Sequence, residues 1–187
     1  MTKGRVEAFS DGVLAIVITI MVLELKVPHG DQLGAVLPLW PVLVSYVVSF
    51  VHVGIYWNNH HHMFHRVEKV DGWVLWANLH LLFWLSLMPF ATGFMGENQF
   101  APVPVALYVL DLLMCALAYA LLERALVAGH DTDSAFVRSL GRTWKESASV
   151  VIYLLSLAAT LLSGTLALAG VVLVAVIWFI PDRRFER

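Results

Sequence analysis

Residues 5–23 read RVEAFSDGVLAIVITIMVL, and this stretch decides how the chain is organised. Arg5, Glu7 and Asp11 crowd its start, and the uncharged run that follows, 12–23, is shorter than the ~20 apolar residues that a membrane-spanning helix needs. If the stretch spans a bilayer, its polar end has to face protein or water, because charge that faces lipid is expensive. It is therefore predicted to form an interior transmembrane helix, helix 1.

The composition of the whole chain is that of an integral membrane protein. Of 187 residues, 59% are hydrophobic and only 14% are charged, against about 25% charged in a typical soluble domain, and the mean hydropathy is +0.76. These values exclude an ordinary soluble enzyme and a disordered protein. The net charge of -2 provides no basic field for nucleic acid. The single cysteine, Cys115, excludes an internal disulfide framework and a cysteine-based zinc site.

Further uncharged or nearly uncharged segments follow helix 1. They are residues 33–59, 72–96, 98–122, which only Asp111 interrupts, and 147–181. As one helix, the last segment would be roughly 52 Å long at 1.5 Å per residue, against a hydrocarbon core of about 30 Å. The turn chemistry of Ser163-Gly164-Thr165 predicts two short spans joined by a hairpin. The predicted fold is all-α, with six transmembrane helices in a single domain, 1–187.

The basic residues give the orientation of these six spans. Of the 12 lysines and arginines, only Lys26 falls on one side of the predicted membrane, and all the others fall on the side of the two termini. The positive-inside rule therefore places both termini in the cytoplasm of a multi-pass protein of the plasma membrane. It also requires an even number of crossings between Lys145 and Arg183, which independently favours the hairpin.

Helix 1 carries an apolar stripe. Ile16, Ile20 and Leu23 follow the i, i+4, i+7 spacing of one helix face, and Thr19 lies on its edge. Periodicity alone indicates a packing seam between helices.

The start of helix 1 resembles a known family. The pattern Arg-x-x-x-Phe-Ser-Asp-Gly, formed here by Arg5, Phe9, Ser10, Asp11 and Gly12, is similar to the signature of the transmembrane protein 175 family of potassium channels. The segment 57–62 that ends the second span, WNNHHH, is also similar to the family's segment there. The resemblance covers essentially the whole chain. It implies a single-repeat channel, not an enzyme, that binds no cofactor and assembles as a homotetramer around helix 1.

The resemblance also implies roles for individual residues. Ile16 corresponds to the narrowest part of the pore, Ile20 and Leu23 to further apolar rings, and Thr19 to a threonine linked to potassium preference. Residues of the second span are expected to hydrogen-bond to the helix 1 motif, and the candidates for this network are Trp57, Asn58, His61 and His62. No Thr-Val-Gly-Tyr-Gly loop occurs in the chain, so selection is expected to rest on side-chain rings and on the cost of stripping hydration from ions.

Several polar residues leave alternatives open. His61 and His65 have the i, i+4 spacing of metal ligands, but no His-Glu-x-x-His pattern occurs, and a structural or pH-sensitive network is favoured over a metal site. Asp111, mid-span in the fourth helix, is either functional or paired with His80 or Asn78. At the outer mouth, Glu24 either concentrates cations or is neutralised by Lys26. The rival interpretation is a membrane enzyme or proton-coupled transporter that uses Asp11, Asp111 and the histidines 60–65.

Overall fold

The computed structural model describes residues 2–29, 31–65, 67, 70–129 and 144–179. Within these residues the chain forms six α-helices joined by short connections. They are α1 (Lys3–Leu23), α2 (Trp40–His65), α3 (Gly72–Glu97), α4 (Pro102–Ala128), α5 (Trp144–Ala159) and α6 (Gly164–Phe179). The predicted all-α fold is confirmed.

The first four helices are long and apolar enough to cross a membrane. Helices α5 and α6 have 16 residues each, which is about 24 Å at 1.5 Å per residue and less than a full hydrocarbon core. A turn at residues 160–163 joins them, so the long uncharged segment is divided where the sequence predicted. The glycine that begins α6 allows a close approach, because a Cβ at Gly164 would lie 2.0 Å from the carbonyl oxygen of Phe100.

Two helices begin later than the uncharged runs suggested. The second span begins with two 3-10 turns, Leu33–Ala35 and Leu37–Leu39, and α2 starts only at Trp40. Pro38 and Pro41 explain this delay, because proline fits the first turn of a helix but not its interior. Between α3 and α4, Gln99 and Phe100 adopt positive φ angles of 51° and 59°, which ends one helix before the next begins at Pro102.

Contacts at the helix ends show that successive helices run in opposite directions. At one end, called the Lys3 end, Lys3 Nζ donates to the carbonyl oxygen of His65 at 2.7 Å. At the opposite end, called the Lys26 end, Lys26 forms an ion pair with Glu97, and Gly164 at the start of α6 lies against Phe100. The start of α1 and the end of α6 therefore share one end of the bundle, as six crossings require.

The described basic residues other than Lys26 belong to the Lys3 end. Lys3 and Arg5 are in the first turn of α1, Arg124 is near the end of α4, and Lys145 is in the first turn of α5. The other basic residues lie outside the described residues: Arg66, Lys69, Arg138, Arg142, Arg183, Arg184 and Arg187.

Helices α3 and α4 supply most of the core, and α1 packs against it through one face only. Contacts of α1 are made mainly with α3 and α2. Helix α1 therefore lies on the outside of the single chain, and the interior position predicted for it is not reached within one chain.

Candidate functional site

Helix α1 has two faces of different surroundings. Its buried face consists of Val6, Ser10, Leu14, Val17 and Met21, which recur at helical spacing and pack on the core. Leu23 lies about 180° around the helix from Leu14 at 100° per residue, and so belongs to the opposite face.

The opposite face carries the predicted apolar stripe and has no partner within the described chain. Ile16, Ile20 and Leu23 are 58%, 42% and 79% exposed, whereas Leu14 and Val17 on the buried face are 2% and 3% exposed. Thr19 Oγ1 donates to the carbonyl oxygen of Ile16 at 2.9 Å, so this hydroxyl uses its proton within the helix and keeps its lone pairs as acceptors. The stripe is thus available either to another chain or to a shared axis.

A buried chain of hydrogen bonds holds the start of α1. Ser10 is fully buried, and Asn78 Nδ2 of α3 donates to its Oγ at 3.0 Å. The Asn78 Oδ1 atom lies 2.8 Å from His60 Nε2 of α2, and His60 is the donor because an amide oxygen only accepts. This Ser10–Asn78–His60 chain joins three helices inside the bundle, where unsatisfied polar groups are costly.

A second, exposed contact fixes the motif aspartate. Trp57 Nε1 of α2 donates to Asp11 Oδ1 at 3.1 Å. The ring of His61 stacks on Trp57 with centroids 6.3 Å apart, and His65 stacks on His61 at 6.2 Å. The rings of Trp57, His61 and His65 therefore form a row at the end of α2, beside the start of α1, called the ring row.

The structure brings together part of the predicted network. Trp57 donates to Asp11, whereas Ser10 accepts from Asn78 of α3 and not from the second span, and His61 reaches the motif only through the Trp57 ring. The remaining predicted members are more peripheral: Arg5, Phe9, Gly12 and Asn58 are exposed, and His62 is half-buried.

The sequence interpretation did not include Asn78 and His60 in this network. The sequence predicts Asn78 only as a partner of Asp111, although a polar residue in an apolar span is itself a signal of a functional contact. His60 directly precedes the predicted members His61 and His62, and only the direction in which α2 faces its neighbours distinguishes it from them. His60 is 2% exposed, and its ring stacks on Phe64 with centroids 4.4 Å apart.

Asp111 pairs with neither His80 nor Asn78. His80 Nε2 accepts from Trp84 Nε1 at 3.1 Å, and the polar atoms of Asn78 are used by Ser10 and His60. Asp111 is 5% exposed, and both of its carboxylate oxygens are without a hydrogen-bond partner among the described residues.

The histidines of the ring row do not form a metal site within the described chain. No group of three histidine, cysteine, aspartate or glutamate side chains there is close enough to hold a metal ion.

At the Lys26 end, Lys26 pairs with Glu97 of α3, and the hydrogen bond and negative charge of Glu97 raise the pKa of Lys26. Lys26 is thus engaged mainly by Glu97, and Glu24 remains exposed.

This architecture defines a class of protein: a six-helix membrane bundle whose first helix is anchored on one side and presents an apolar stripe on the other. Residues 5–89 match the family model described as the endosomal/lysosomal potassium channel TMEM175. The whole chain is 51% identical over 187 residues to a potassium channel of Chryseobacterium sp. (strain P1-3), with 97% of that protein covered. The chain belongs to the TMEM175 family of channels.

Two further comparisons agree with this assignment. The crystal structure of a lysosomal potassium-selective channel TMEM175 homolog from Chamaesiphon minutus matches with a TM-score of 0.80 and 29% identity, covering 95% of this chain and 96% of that one. The chain is also 30% identical over 160 residues to the endosomal/lysosomal proton channel TMEM175 of Gallus gallus, covering 76% of this chain and 32% of that protein. The family and these relatives are channels and not enzymes, so the membrane-enzyme alternative is set aside.

Proposed function

We propose that this chain is a single-domain subunit, 1–187, of a potassium-permeable cation channel whose pore is lined by α1. The observation that carries the proposal is the exposed stripe of Ile16, Ile20 and Leu23, opposite a face that is fully packed. Such a stripe needs a partner other than the chain's own helices. The bacterial relatives are named as potassium channels, which favours a shared conduction axis over a simple packing seam.

The axis is formed by four copies of the chain. A homotetramer is what the resemblance of the motif implies, and it gives α1 the interior position that its polar start requires. The Lys3 end, which carries the described basic residues other than Lys26, faces the cytoplasm, and the channel lies in the plasma membrane. The bilayer covers the other exposed apolar helices.

The stripe forms the constriction. Four Ile16 side chains meet at the narrowest point, and Ile20 and Leu23 form further apolar rings toward the Lys26 end. A gap between aliphatic side chains expels water when it narrows, so the rings act as a gate. Because potassium loses its hydration at a lower cost than sodium, the same rings favour potassium. Thr19, whose oxygen keeps free lone pairs beside Ile16, contributes to this preference.

The motif acts as an anchor and not as an ion site. Ser10 is fully buried and bonded to Asn78 of α3, and Asp11 accepts from Trp57 of α2, so the motif is tied to both neighbouring helices. The anchor holds the start of α1 at a fixed angle to the other helices. Its loss is therefore expected to alter assembly or opening and to leave ion preference unchanged.

Proton conduction is a second candidate, because the relative from Gallus gallus is named as a proton channel. Both candidates are tested with the purified protein in liposomes, by comparing potassium, sodium and proton flux under imposed gradients. The proposal expects potassium flux well above sodium flux. Proton flux without potassium flux would favour the second candidate, and the absence of any flux would contradict both.

A further inference from the structure

A cavity of about 560 Å³ lies within the chain, away from α1. It is lined by α2, α4, α5 and α6, with one residue from α3, and among the described residues no α1 side chain lines it. Its walls are mostly apolar, as Ile55, Ala120, Val150 and Val174 illustrate. A volume of roughly 300–1,000 Å³ with apolar walls and few polar groups is typical of a small-molecule site.

One buried polar group in this cavity has an unused hydrogen-bonding atom. His52 lines the cavity and is 2% exposed, and its Nδ1 lies 2.8 Å from the carbonyl oxygen of Val48. Because a carbonyl oxygen only accepts, Nδ1 carries the proton, and Nε2 of the neutral ring is an acceptor. Nε2 has no partner among the described residues. A buried acceptor without a hydrogen-bond partner costs folding free energy, so we expect a hydrogen-bond donor to lie beside Nε2.

The polar residues of the lining are distributed unevenly, and besides His52, Arg124, Glu146 and Trp178 they include Tyr56, Asn59, His80, Tyr119, Ser147, Ser149 and Tyr153. Arg124, Glu146 and Trp178 lie toward the Lys3 end, where α4 and α6 end and α5 begins. His52 lies in the middle of α2, at the depth of the hydrocarbon core. A molecule that reaches His52 therefore has to place an apolar body along the walls and a single donor at the Nε2 atom. A carboxylate or a fully ionised phosphate does not fit there, because neither offers a proton.

We propose that this cavity is a binding site for a neutral amphiphile, an apolar molecule with one hydroxyl or amide N–H group that donates to His52 Nε2. Water alone is a poorer occupant, since a buried water needs two to four polar partners and fills only about 30 Å³. The site is separate from the proposed pore, and its occupancy does not depend on what the channel conducts.

The test is photolabelling of the intact channel in liposomes with a diazirine derivative of 1-decanol and with its methyl ether. The cross-linked peptides are located by mass spectrometry. We expect saturable labelling of the α4 and α5 segments that line the cavity, and competition by excess 1-decanol. We also expect about tenfold weaker labelling by the ether, which has no donor for Nε2. Equal labelling by the alcohol and the ether, or labelling spread evenly over lipid-facing residues, would overturn the proposal.

Three variants sharpen the result. His52→Leu removes the acceptor and is expected to remove the preference for the alcohol over the ether. Ala120→Phe fills the cavity and is expected to abolish labelling of its walls. The matched control is Leu110→Phe, since Leu110 is on α4, 40% exposed, and does not line the cavity. Labelling that survives Ala120→Phe unchanged would contradict the assignment, and if that variant does not fold, the His52→Leu comparison still decides.

Discussion

At the scale of single residues, Asn78 is the side chain that holds the anchor together. It donates to Ser10 of α1 and accepts from His60 of α2, and it is 2% exposed on α3. Three helices therefore meet at one amide. In the apolar interior of a membrane protein, a polar group that loses its partner has no water to replace it.

We predict that Asn78→Leu destabilises the protein and that Asn58→Leu does not. The first substitution leaves Ser10 and His60 without their shared partner, and the free energy of unfolding is expected to fall by about 1–3 kcal/mol. Asn58, the amide that the sequence suggested, is exposed and serves as the matched control. Unfolding in detergent, followed by tryptophan fluorescence, measures both variants. Equal stability of the two variants would mean that the chain of hydrogen bonds is not an anchor.

A second residue-scale prediction concerns Asp111. Its carboxylate oxygens are buried without partners in the described chain, so replacing it with the apolar Asp111→Leu removes an unpaired polar group. The free energy of unfolding is expected to rise by about 1–3 kcal/mol. The melting temperature of the assembled protein in detergent provides the measurement. Loss of assembly in this variant would show instead that the carboxylate has a structural partner in the complete channel.

At the scale of helices, the sequence predicted the spans well because lack of charge over about 20 residues is a strong signal. The helix ends were harder to predict, since the 3-10 turns before Trp40 and the left-handed pair Gln99 and Phe100 depend on local backbone geometry. Two residues of the anchor, His60 and Asn78, are also absent from the sequence-based prediction. The motif indicated Ser10 and Asp11, but the directions in which α2 and α3 face each other select His60 and Asn78, and one sequence contains no such information.

The ring row at the end of α2 gives an element-scale prediction of pH dependence. Histidine is the side chain most often used as a proton sensor in proteins, and the row places His61 beside Trp57 and the start of α1. Positive charge in this row is expected to repel entering cations, and potassium current should fall between pH 8 and pH 5. In the double variant His61→Gln and His62→Gln the response should be flatter. His29→Gln, at the Lys26 end, is the control, and identical pH profiles in all proteins would refute the prediction.

At the scale of the whole molecule, a single chain leaves one face of α1 without a packing partner among the described residues. Its buried face is packed within the chain, and its stripe is exposed. Gly12 belongs to the motif and is also exposed, and a Cβ placed there would meet no atom of the described residues within 4 Å. We therefore expect any steric need for a glycine at this position to come from another copy of the chain.

We predict that Gly12→Leu separates the subunits without unfolding them. Leucine is a better helix former than glycine, so the single chain should fold at least as well. The mass in detergent is expected to be four times the 20.8 kDa of one chain for the natural protein and lower for this variant. Gly54→Leu on α2, where a Cβ also meets no described atom within 4 Å, should keep the full mass. A natural protein with the mass of one chain would contradict the tetramer.

The central claim is that the Ile16 side chains form the selective constriction, and the reversal potential under bi-ionic potassium and sodium tests it most directly. Ile16→Asn places a hydrogen-bonding group where the gap has to stay dry, so the reversal potential is expected to shift toward zero and the resting leak to rise. Thr19→Val should also weaken the preference while keeping the seal, whereas Ile18→Asn, at a position packed against the core, should mainly impair folding. An unchanged reversal potential in normally expressed Ile16→Asn would contradict the account, because α1 would then not line the selective part of the path.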